Sequence, residues 1–357
     1  MRLRRVLVAL ALLTLAAGGM AAWANLRVRT PYRGYSGVEQ FVEVLPGSGV
    51  RAIGAKLVAA GIVPDTLTFR LALWSSGQAR TLKAGEYRFD QAMSPIDVVR
   101  KLARGEVYAI SVTFPEGLTV SDMAGIFQSH GFGPARSFVA AAQDASRIAA
   151  VDPAATSLEG YLFPETYALS RHADAHQLVD LMVARFEQTL TPDLRRAAAA
   201  RGLSVHALVT LASIVEKETG KADERPLVAA VYQNRLRLKM PLQCDPTVIY
   251  ALQRAGRYDG NLRRADLAVD SPYNTYRYPG LPPGPIAAPG RASLEAAAHP
   301  ADAAYLYFVS RNDGTHVFAK TLEEHNRNVQ KYQVEYFRSR RPDQRSPHLS
   351  FSRSTSK

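Results

Sequence analysis

The sequence predicts an α+β protein in which one long apolar helix precedes two folded domains, the second of them rich in helices. An uncharged run, residues 6–24, lies near the N-terminus. Strand-like runs alternate with helical spacing up to about residue 131, and helical periodicity dominates beyond it. A late Asn312-Asp313-Gly314 signal predicts a hairpin. Strands that lead into mostly helices fit an α+β domain better than a regular parallel α/β sheet.

The apolar run is predicted to be a transmembrane helix. Nineteen helical residues span roughly 28 Å, close to the hydrocarbon thickness of a bilayer. Three arginines within residues 1–5 favour a cytoplasmic N-terminus. A cleaved signal peptide is the alternative, since Ala22-Trp23-Ala24 fits a cleavage site. Under both interpretations the remainder of the chain is exported. This remainder is predicted to begin with a linker at residues 25–37.

The net charge of +12 lies at the two ends of the chain. Residues 1–33 contain six Arg and no acidic residue, and residues 338–357 carry a net charge of +5, which leaves +1 for everything between them. No basic helix or mixed aromatic and basic strand of a nucleic-acid reader occurs in between. We therefore expect no nucleic-acid partner, and we expect the Arg- and Ser-rich tail, residues 338–357, to be disordered.

Residues 38–108 are predicted to form a small domain of short strands and helices. Asp65 and Ser94 are candidate N-caps, and Pro95 suits a first helical position. No catalytic constellation is evident in this domain, so binding or spacing is its expected role. The expected elements are strands at Phe41–Leu45 and Gly85–Phe89, and helices at Val50–Gly61, Thr66–Trp74 and Ser94–Leu102.

A second strand–helix unit resembles the first. Ile110–Phe114 is strand-like, and Val120–Gly131 has helical spacing and ends at a glycine, as the helix before Gly61 does. Two copies are too few for a solenoid. We therefore expect two small strand–helix units packed side by side.

Residues 109–337 are predicted to form the helix-rich domain. Ser204 is a candidate N-cap for a helix that runs through Glu218. Asp223 and Asp245, each followed by a proline, are candidate caps of two further helices. Residues 270–290 are dense in Pro, Gly, Tyr and Asn and indicate a long structured loop. A hairpin, Tyr305–Ser310 with His316–Ala319, and a helix at Glu323–Phe337 complete the domain.

Glu216 and Glu218 lie at the end of an otherwise apolar helix. A carboxyl near the negative end of a helix dipole, and partly buried, has a raised pKa, as a general acid at neutral pH requires. Residues two positions apart are rotated by about 200° around the helix axis, so the two side chains cannot share a face. Local chemistry alone makes one of them an acid/base candidate, and two solvated glutamates beside Lys217 and Lys221 are the plainer interpretation.

Other candidate positions combine carboxylates, amides and aromatic rings. Glu159 and Glu165 lie in a segment with three aromatic residues, and aromatic rings stack on the apolar faces of sugars. Each of these candidates also has a structural interpretation, as a turn, an N-cap or a loop contact. The remaining candidates are Gln243, Asp245, Thr247, Tyr273, Asn274, Thr275 and Tyr276.

Several kinds of chemistry are disfavoured. Cys244 is the single cysteine, so neither an intrachain disulfide nor a cysteine-based zinc site can form. The histidines lack the HExxH spacing of zinc proteases. Walker loops, dinucleotide glycine fingerprints and G-x-S-x-G elbows are absent from the sequence. We expect no metal and no cofactor.

The sequence closely resembles the endolytic murein transglycosylase family (MltG, or YceG-like). The resemblance covers residues 40 to about 335. The matching sequence motifs are specific because several of them run unbroken over five to nine residues. Cys244 departs from the family, which more often has Ser there. The matching words are Glu159–Tyr167 (EGYLFPETY), Leu211–Thr219 (LASIVEKET), Asn234–Leu236, Leu242–Tyr250, Ser271–Tyr276, Gly280–Gly284, Ala298–Pro300 and Tyr305–Val309.

The resemblance implies a single-pass inner-membrane protein with a LysM-like domain, residues 38–108, and a periplasmic catalytic domain, residues 109–337. It implies that Glu218 cleaves the MurNAc–GlcNAc bond of nascent glycan strands, forms 1,6-anhydro ends and ends strand elongation. Peptidoglycan synthases are possible partners. The alternatives are a hydrolytic muramidase and a non-catalytic peptidoglycan-binding scaffold. The expected supporting or substrate-binding residues are Glu216, Glu165, Asn234, Gln243, Asp245, Thr247, Tyr273, Asn274, Thr275 and Tyr276.

Overall fold

A computed structural model of the chain describes residues 2–339. The described part divides into two compact units. The small unit contains the residues up to Ser111 together with Ala168–His172, and the large unit contains Val112–Tyr167 together with the residues from Ala173 onward. The predicted disordered tail, residues 338–357, lies outside the described residues except for its first two positions, which end the last helix.

Helix α1, Arg2–Arg29, contains the predicted membrane span. The stretch Leu3–Arg29 is long and apolar enough to cross a bilayer, and its most apolar window of 18 residues has a mean hydropathy of 2.1. Its leucines and valines are mostly exposed, so its apolar surface has no covering within the protein. The helix continues five residues into the predicted linker, residues 25–37.

The last turn of α1 packs on the small unit, which explains why the predicted linker begins as helix. Val28 belongs to the core of this unit. The Arg27 guanidinium lies 2.5 Å from the Asp65 carboxylate and donates a 2.7 Å hydrogen bond to the Thr68 hydroxyl. The charge pair and the buried valine fix the end of the helix relative to the rest of the small unit.

The small unit contains every element predicted for residues 38–108. Strands β1 and β2 are antiparallel, with Gln40 opposite Phe89 and Val44 opposite Gly85. The core between sheet and helices is apolar and includes the fully buried Leu57. The elements are β1 Gln40–Val44, α2 Val50–Ala59, α3 Thr66–Ser76, β2 Gly85–Phe89 and α4 Pro95–Arg104.

The predicted caps of this unit are confirmed. The Asp65 carboxylate accepts a 2.8 Å hydrogen bond from the Thr68 amide at the start of α3. The Ser94 hydroxyl accepts one from the Asp97 amide, and Pro95 is the first residue of α4. Each cap satisfies an amide that has no partner within its own helix.

The second predicted strand–helix unit also forms, but it does not pair with the first. Strand β3 pairs with β4, whereas β1 pairs with β2, so the strands of the two repeats do not pair with each other. The backbone of β3 finds its hydrogen-bonding partner about 55 positions later in the chain, which no local pattern indicates. These elements are β3 Ile110–Thr113, α5 Val120–Ser129, α6 Ala135–Ala142, a 3₁₀ turn at Ala145–Ile148 and β4 Thr166–Leu169.

The centre of the large unit is α9, a helix that is buried on all sides between Leu208 and Val215. Apolar or small side chains around the whole circumference favour such a position. The predicted cap is confirmed, since the Ser204 hydroxyl accepts from the Ala207 amide at 3.1 Å. The central helix α9 is Val205–Glu218, and the other helices of this part are α7 Ala175–Thr189, α8 Pro192–Ala200, α10 Arg225–Arg237, α11 Asp245–Arg254 and α12 Arg291–Ala298.

Two predicted caps in this unit are wrong. Helix α10 begins after Glu224, and neither Asp223 nor Glu224 caps it through a side chain. Helix α11 follows Cys244, so Asp245 lies within its first turn instead of preceding it. For Asp245 the same local signal fits both positions, because a carboxylate in the first turn also faces the positive end of the helix.

The C-terminal part agrees with the prediction. Asn312 and Gly314 have positive φ angles of 64° and 85° at the hairpin turn. Residues 270–290 form the predicted loop, which follows a 3₁₀ turn at Arg264–Ala268. The elements are β5 Tyr307–Ser310, β6 His316–Ala319, α13 Leu322–Val329, a π-helical segment at Gln330–Glu335 and α14 Tyr336–Ser339. The structure is a mixed, helix-rich α+β fold, as predicted.

Candidate active site

A cleft of about 290 Å³ in the large unit opens at the C-terminal end of α9. Glu218, the last residue of that helix, is partly accessible in this cleft. The lining is mostly polar, with three charged groups and two aromatic phenols. The lining residues are Glu218, Tyr232, Arg235, Leu242, Gln243, Asp245, Tyr276, Phe308 and His325.

Two neutral groups contact the Glu218 carboxyl. The Tyr232 hydroxyl, from α10, donates to Oε1 at 2.5 Å. The buried thiol of Cys244, immediately before α11, lies beside the carboxyl and acts to lower its pKa. Thr219 adopts an extended conformation and ends the helix, so the acid is the last residue within helical geometry. The carboxyl is therefore fixed by three separate segments of the large unit.

Burial raises the pKa of Glu218 above its usual range. The nearby charge of Asp245 acts in the same direction, whereas the hydrogen bond from Tyr232, the Cys244 thiol and the proximity of His316 act against it. The negative end of the α9 dipole also disfavours the carboxylate. A carboxyl with a raised pKa and access to a cleft can donate a proton near neutral pH.

Arg235 positions the walls of the cleft. Its Nε donates to the Leu306 carbonyl at 2.7 Å, and its Nη1 donates to the Leu242 carbonyl at 2.9 Å. It forms no ion pair with a carboxylate among residues 2–339. The guanidinium thus joins the segment before α11 to the segment before β5.

Thr247 and Thr275 hold the backbone around Cys244. The Cys244 amide donates to the Thr275 hydroxyl at 3.0 Å, and the Thr247 hydroxyl donates to the Cys244 carbonyl at 2.7 Å. Both threonines are fully buried, so they position the thiol and cannot touch a ligand directly. Gln243, one residue earlier, is exposed in the cleft with a left-handed φ of 51°.

Asp245 supplies a second carboxylate to the cleft. It is exposed, and the Tyr276 hydroxyl donates to its Oδ1 at 2.6 Å. Tyr276 comes from the loop at residues 270–290, so this bond ties the loop to the first turn of α11. Both residues were candidates from the sequence, and both lie beside Glu218.

Glu216 faces away from the cleft. Its Oε1 accepts from Arg225 at 3.0 Å, and its Oε2 accepts from the Gly290 amide at the start of α12 at 2.9 Å. The side chain is only 6% exposed. The carboxylate therefore joins α9 to the first turns of α10 and α12, and the rotation of about 200° separates it from Glu218.

Three other sequence candidates lie outside this cleft. Glu165 forms an ion pair with Arg185 at 2.5 Å. The Asn234 amide donates to the Ala303 carbonyl at 2.8 Å, and the Asn274 amide donates to the Val269 carbonyl at 2.8 Å. Each of these contacts stabilises a turn or loop.

Tyr273 lies outside the Glu218 cleft as well. It packs against Tyr250 and lines a different cavity.

Sequence reasoning missed several residues of the cleft. Tyr232 and Arg235 lie three positions apart on α10, a spacing that puts them on one helix face. That spacing is common in helices, and the sequence around these residues does not show which face of α10 meets Glu218. The other missed residues are Leu242, Phe308 and His325.

The sequence model of the YceG-like family matches residues 42–331. The chain belongs to this family. This match confirms the resemblance that the sequence motifs indicate. The match includes α9, the Glu218 cleft and most of the small unit.

Relatives of known name agree with this assignment. The endolytic murein transglycosylase of Bacillus subtilis (strain 168) is 34% identical over 308 residues, which are 82% of this chain and 84% of the relative. That of Streptococcus pneumoniae serotype 2 is 33% identical over 81% of this chain, and the chain spans 57% of that relative. A crystal structure of a yceG-like protein from Listeria monocytogenes matches 82% of this chain and 99% of its own, with 33% identity and a TM-score of 0.57.

We predict that Tyr232→Phe raises the pKa of Glu218. The phenol hydroxyl stabilises the carboxylate through its 2.5 Å hydrogen bond, and the variant loses that stabilisation. Carbon NMR of glutamate labelled at the carboxyl position gives this pKa directly. Tyr35→Phe, which removes a hydroxyl bound to the Phe89 carbonyl in the small unit, should leave the pKa unchanged. A lower pKa in Tyr232→Phe would contradict the assignment of the donor.

We predict that Glu218→Gln makes the protein more stable than the wild type at pH 8 but not at pH 4. The raised pKa means that the folded state keeps a proton which the unfolded state has lost, so wild-type stability falls as pH rises from the ordinary glutamate pKa through the folded one. Urea unfolding of the full chain in detergent, at several pH values, measures the difference. Glu187→Gln at an exposed position is the control. Equal stability across this pH range would argue against an unfavourable buried charge.

Proposed function

We propose that this protein is an endolytic lytic transglycosylase of peptidoglycan, which cleaves the MurNAc–GlcNAc bond within nascent glycan strands. The observation that carries this proposal is the Glu218 carboxyl, whose pKa is raised, held by a neutral donor in a polar cleft. The names of the relatives support the reaction and the substrate class. Cleavage of nascent strands would end their elongation.

The proposed reaction uses Glu218 first as an acid and then as a base. Its carboxyl proton passes to the bridging oxygen as the bond from that oxygen to MurNAc C1 breaks, and GlcNAc leaves with a hydroxyl. The MurNAc C6 hydroxyl then attacks C1 and gives its proton to the Glu218 carboxylate. The products are a 1,6-anhydro-MurNAc end and a new GlcNAc end. No water is consumed, and the carboxyl regains its starting proton.

The cleft suits this double role because its fixed groups tolerate both forms of the acid. Tyr232 donates to the carboxylate form after the first proton transfer, and the Cys244 thiol beside it also acts to lower its pKa. Burial and the nearby Asp245 favour the protonated form before it. A single carboxyl is sufficient because the substrate supplies the nucleophile from its own C6 hydroxyl.

Asp245 supports a second candidate function, a hydrolytic muramidase. Most glycosidases that use water need two carboxylates, one as acid and one as base or nucleophile. Asp245 is an exposed carboxylate in the same cleft as Glu218. In that reaction it would activate a water molecule, and the products would carry reducing ends.

We also propose that α1 places the protein in the inner membrane as a single span, with a cytoplasmic N-terminus and a periplasmic large unit. The exposed apolar surface of Leu3–Arg29 supports the span, and the arginines that precede it support the orientation. We propose further that the small unit is a LysM-like domain. The order β1-α2-α3-β2 with two antiparallel strands supports this assignment. Peptidoglycan synthases would be partners in strand termination.

We predict that Glu218→Gln lowers the rate of strand cleavage by about 10²–10⁴-fold, the usual contribution of a general acid. Glu216→Gln should lose stability, because it weakens a buried ion pair, but should keep most of its activity. Mass spectrometry of the products distinguishes the two candidate reactions, since anhydro ends are lighter by one water than reducing ends. Full activity of Glu218→Gln on purified glycan strands would refute the role of this acid.

We predict that the chain keeps its N-terminal helix after export. A reporter enzyme that is active only outside the cytoplasm, fused after the large unit, should be active. The protein should also resist extraction from membranes by alkaline carbonate. Its intact mass should include residues 1–24. A chain shortened after Ala24 and released by carbonate would show that the segment is a signal peptide.

A further inference from the structure

The large unit contains a second cleft, with a volume of about 620 Å³, roughly twice that of the Glu218 cleft. It opens between the start of α5, the segment before Gly160 and the end of α11. Its walls combine carboxyl, amide, hydroxyl and guanidinium groups with phenol rings. The lining residues include Gln143, Glu159, Tyr250, Arg254, Tyr258 and Tyr273.

Glu159 lies on the wall of this cleft with both oxygens engaged. Its Oε1 accepts from the Val120 amide at 3.1 Å, and its Oε2 accepts from the Tyr250 hydroxyl at 3.1 Å. Burial raises the pKa of Glu159 to about 7. It forms no ion pair in the described part of the chain. The carboxyl therefore fixes Tyr250 at the cleft and adds little repulsion toward a ligand.

Arg254 is an exposed cation held at the mouth of the same cleft. Its guanidinium lies 5.1 Å from the centre of the Tyr273 ring and 5.9 Å from that of Tyr250. No carboxylate within residues 2–339 forms an ion pair with it. Stacking orders the guanidinium and leaves donors available, so a ligand with hydroxyl and carbonyl oxygens can bind without first breaking an ion pair.

The two clefts share the same structural elements. Asp245, in the first turn of α11, lines the Glu218 cleft, and Arg254, in its last turn, lines the second cleft. A helix covers about 14 Å between these positions. The loop at residues 270–290 also contributes to both clefts, since Tyr276 lines the Glu218 cleft and Tyr273 lines the second cleft. A ligand that occupied both clefts would have to extend along the length of α11, as a polymer can.

We propose that the Glu159 cleft is a remote subsite for the glycan strand, which binds sugar residues away from the bond that is cut. Phenol rings suit the apolar faces of sugar rings, and the amide of Gln143 and the guanidinium of Arg254 suit hydroxyl and N-acetyl oxygens. The proposal rests on the peptidoglycan substrate proposed above. Occupation of this subsite favours long strands over short oligomers, because remote binding energy is available only to a strand that spans both clefts.

The test compares Arg254→Ala with wild type on glycan strands freed of stem peptides and sorted by length. We expect kcat/KM for long strands to fall about tenfold, the effect of one charged hydrogen-bonding group. For the shortest oligomers that are cut, it should not change, which also shows that the variant is folded. Arg257→Ala removes the same charge from a neighbouring exposed position outside the cleft and should behave as wild type.

Equal losses on short and long strands, or equal effects of Arg254→Ala and Arg257→Ala, would overturn the proposal. A loss confined to strands that still carry stem peptides would also overturn it, because the cleft would then bind peptide. Calorimetric titration of peptide-free strands into Glu218→Gln, with and without Arg254→Ala, measures binding without turnover. If wild type binds long strands through Arg254 but produces no new ends, the reaction proposed above fails while the subsite stands.

Discussion

The complete burial of α9 is the constraint on which the rest of the large unit depends. A helix that is buried from Leu208 to Val215 needs neighbours on every side, and α8, α10, α11 and α12 supply them. These neighbours bring Tyr232 from α10 and Cys244 from before α11 to the one end of α9 that reaches a cleft. The candidate acid thus lies at the end of the buried helix, where the packed neighbours bring their side chains to it.

The two glutamates at that end show how neighbours decide the role of a residue. Glu216 accepts from a guanidinium and from a backbone amide at the start of α12, so both of its oxygens are held by contacts within the protein. Glu218 is held by a phenol and lies beside a thiol, and in the part of the chain that the structure describes it forms no ion pair. Rotation about the helix axis, which the sequence does predict, is what exposes them to such different partners.

Sequence reasoning succeeded where structure is set locally and failed where it depends on distant contacts. The cap of α9 at Ser204 and the elements of the small unit were predictable, because capping and periodicity act over a few residues. The pairing of β3 with β4 was not predictable, nor was the arrival of Tyr232 and Arg235 beside Glu218. Asp245 was a site candidate for reasons of composition, and its place in the cleft depends on Tyr276, about 30 positions away.

The structure also relates the choice of acid to the choice of nucleophile. The Tyr276 hydroxyl donates to Oδ1 of Asp245 at 2.6 Å, so one of the two oxygens of this carboxylate already accepts a hydrogen bond within the protein. For Glu218, by contrast, burial favours the protonated form. The cleft therefore contains one carboxyl arranged to give up a proton and one arranged to remain a hydrogen-bond acceptor. This asymmetry is compatible with the reaction proposed above, in which a hydroxyl of the substrate attacks and no second base is needed.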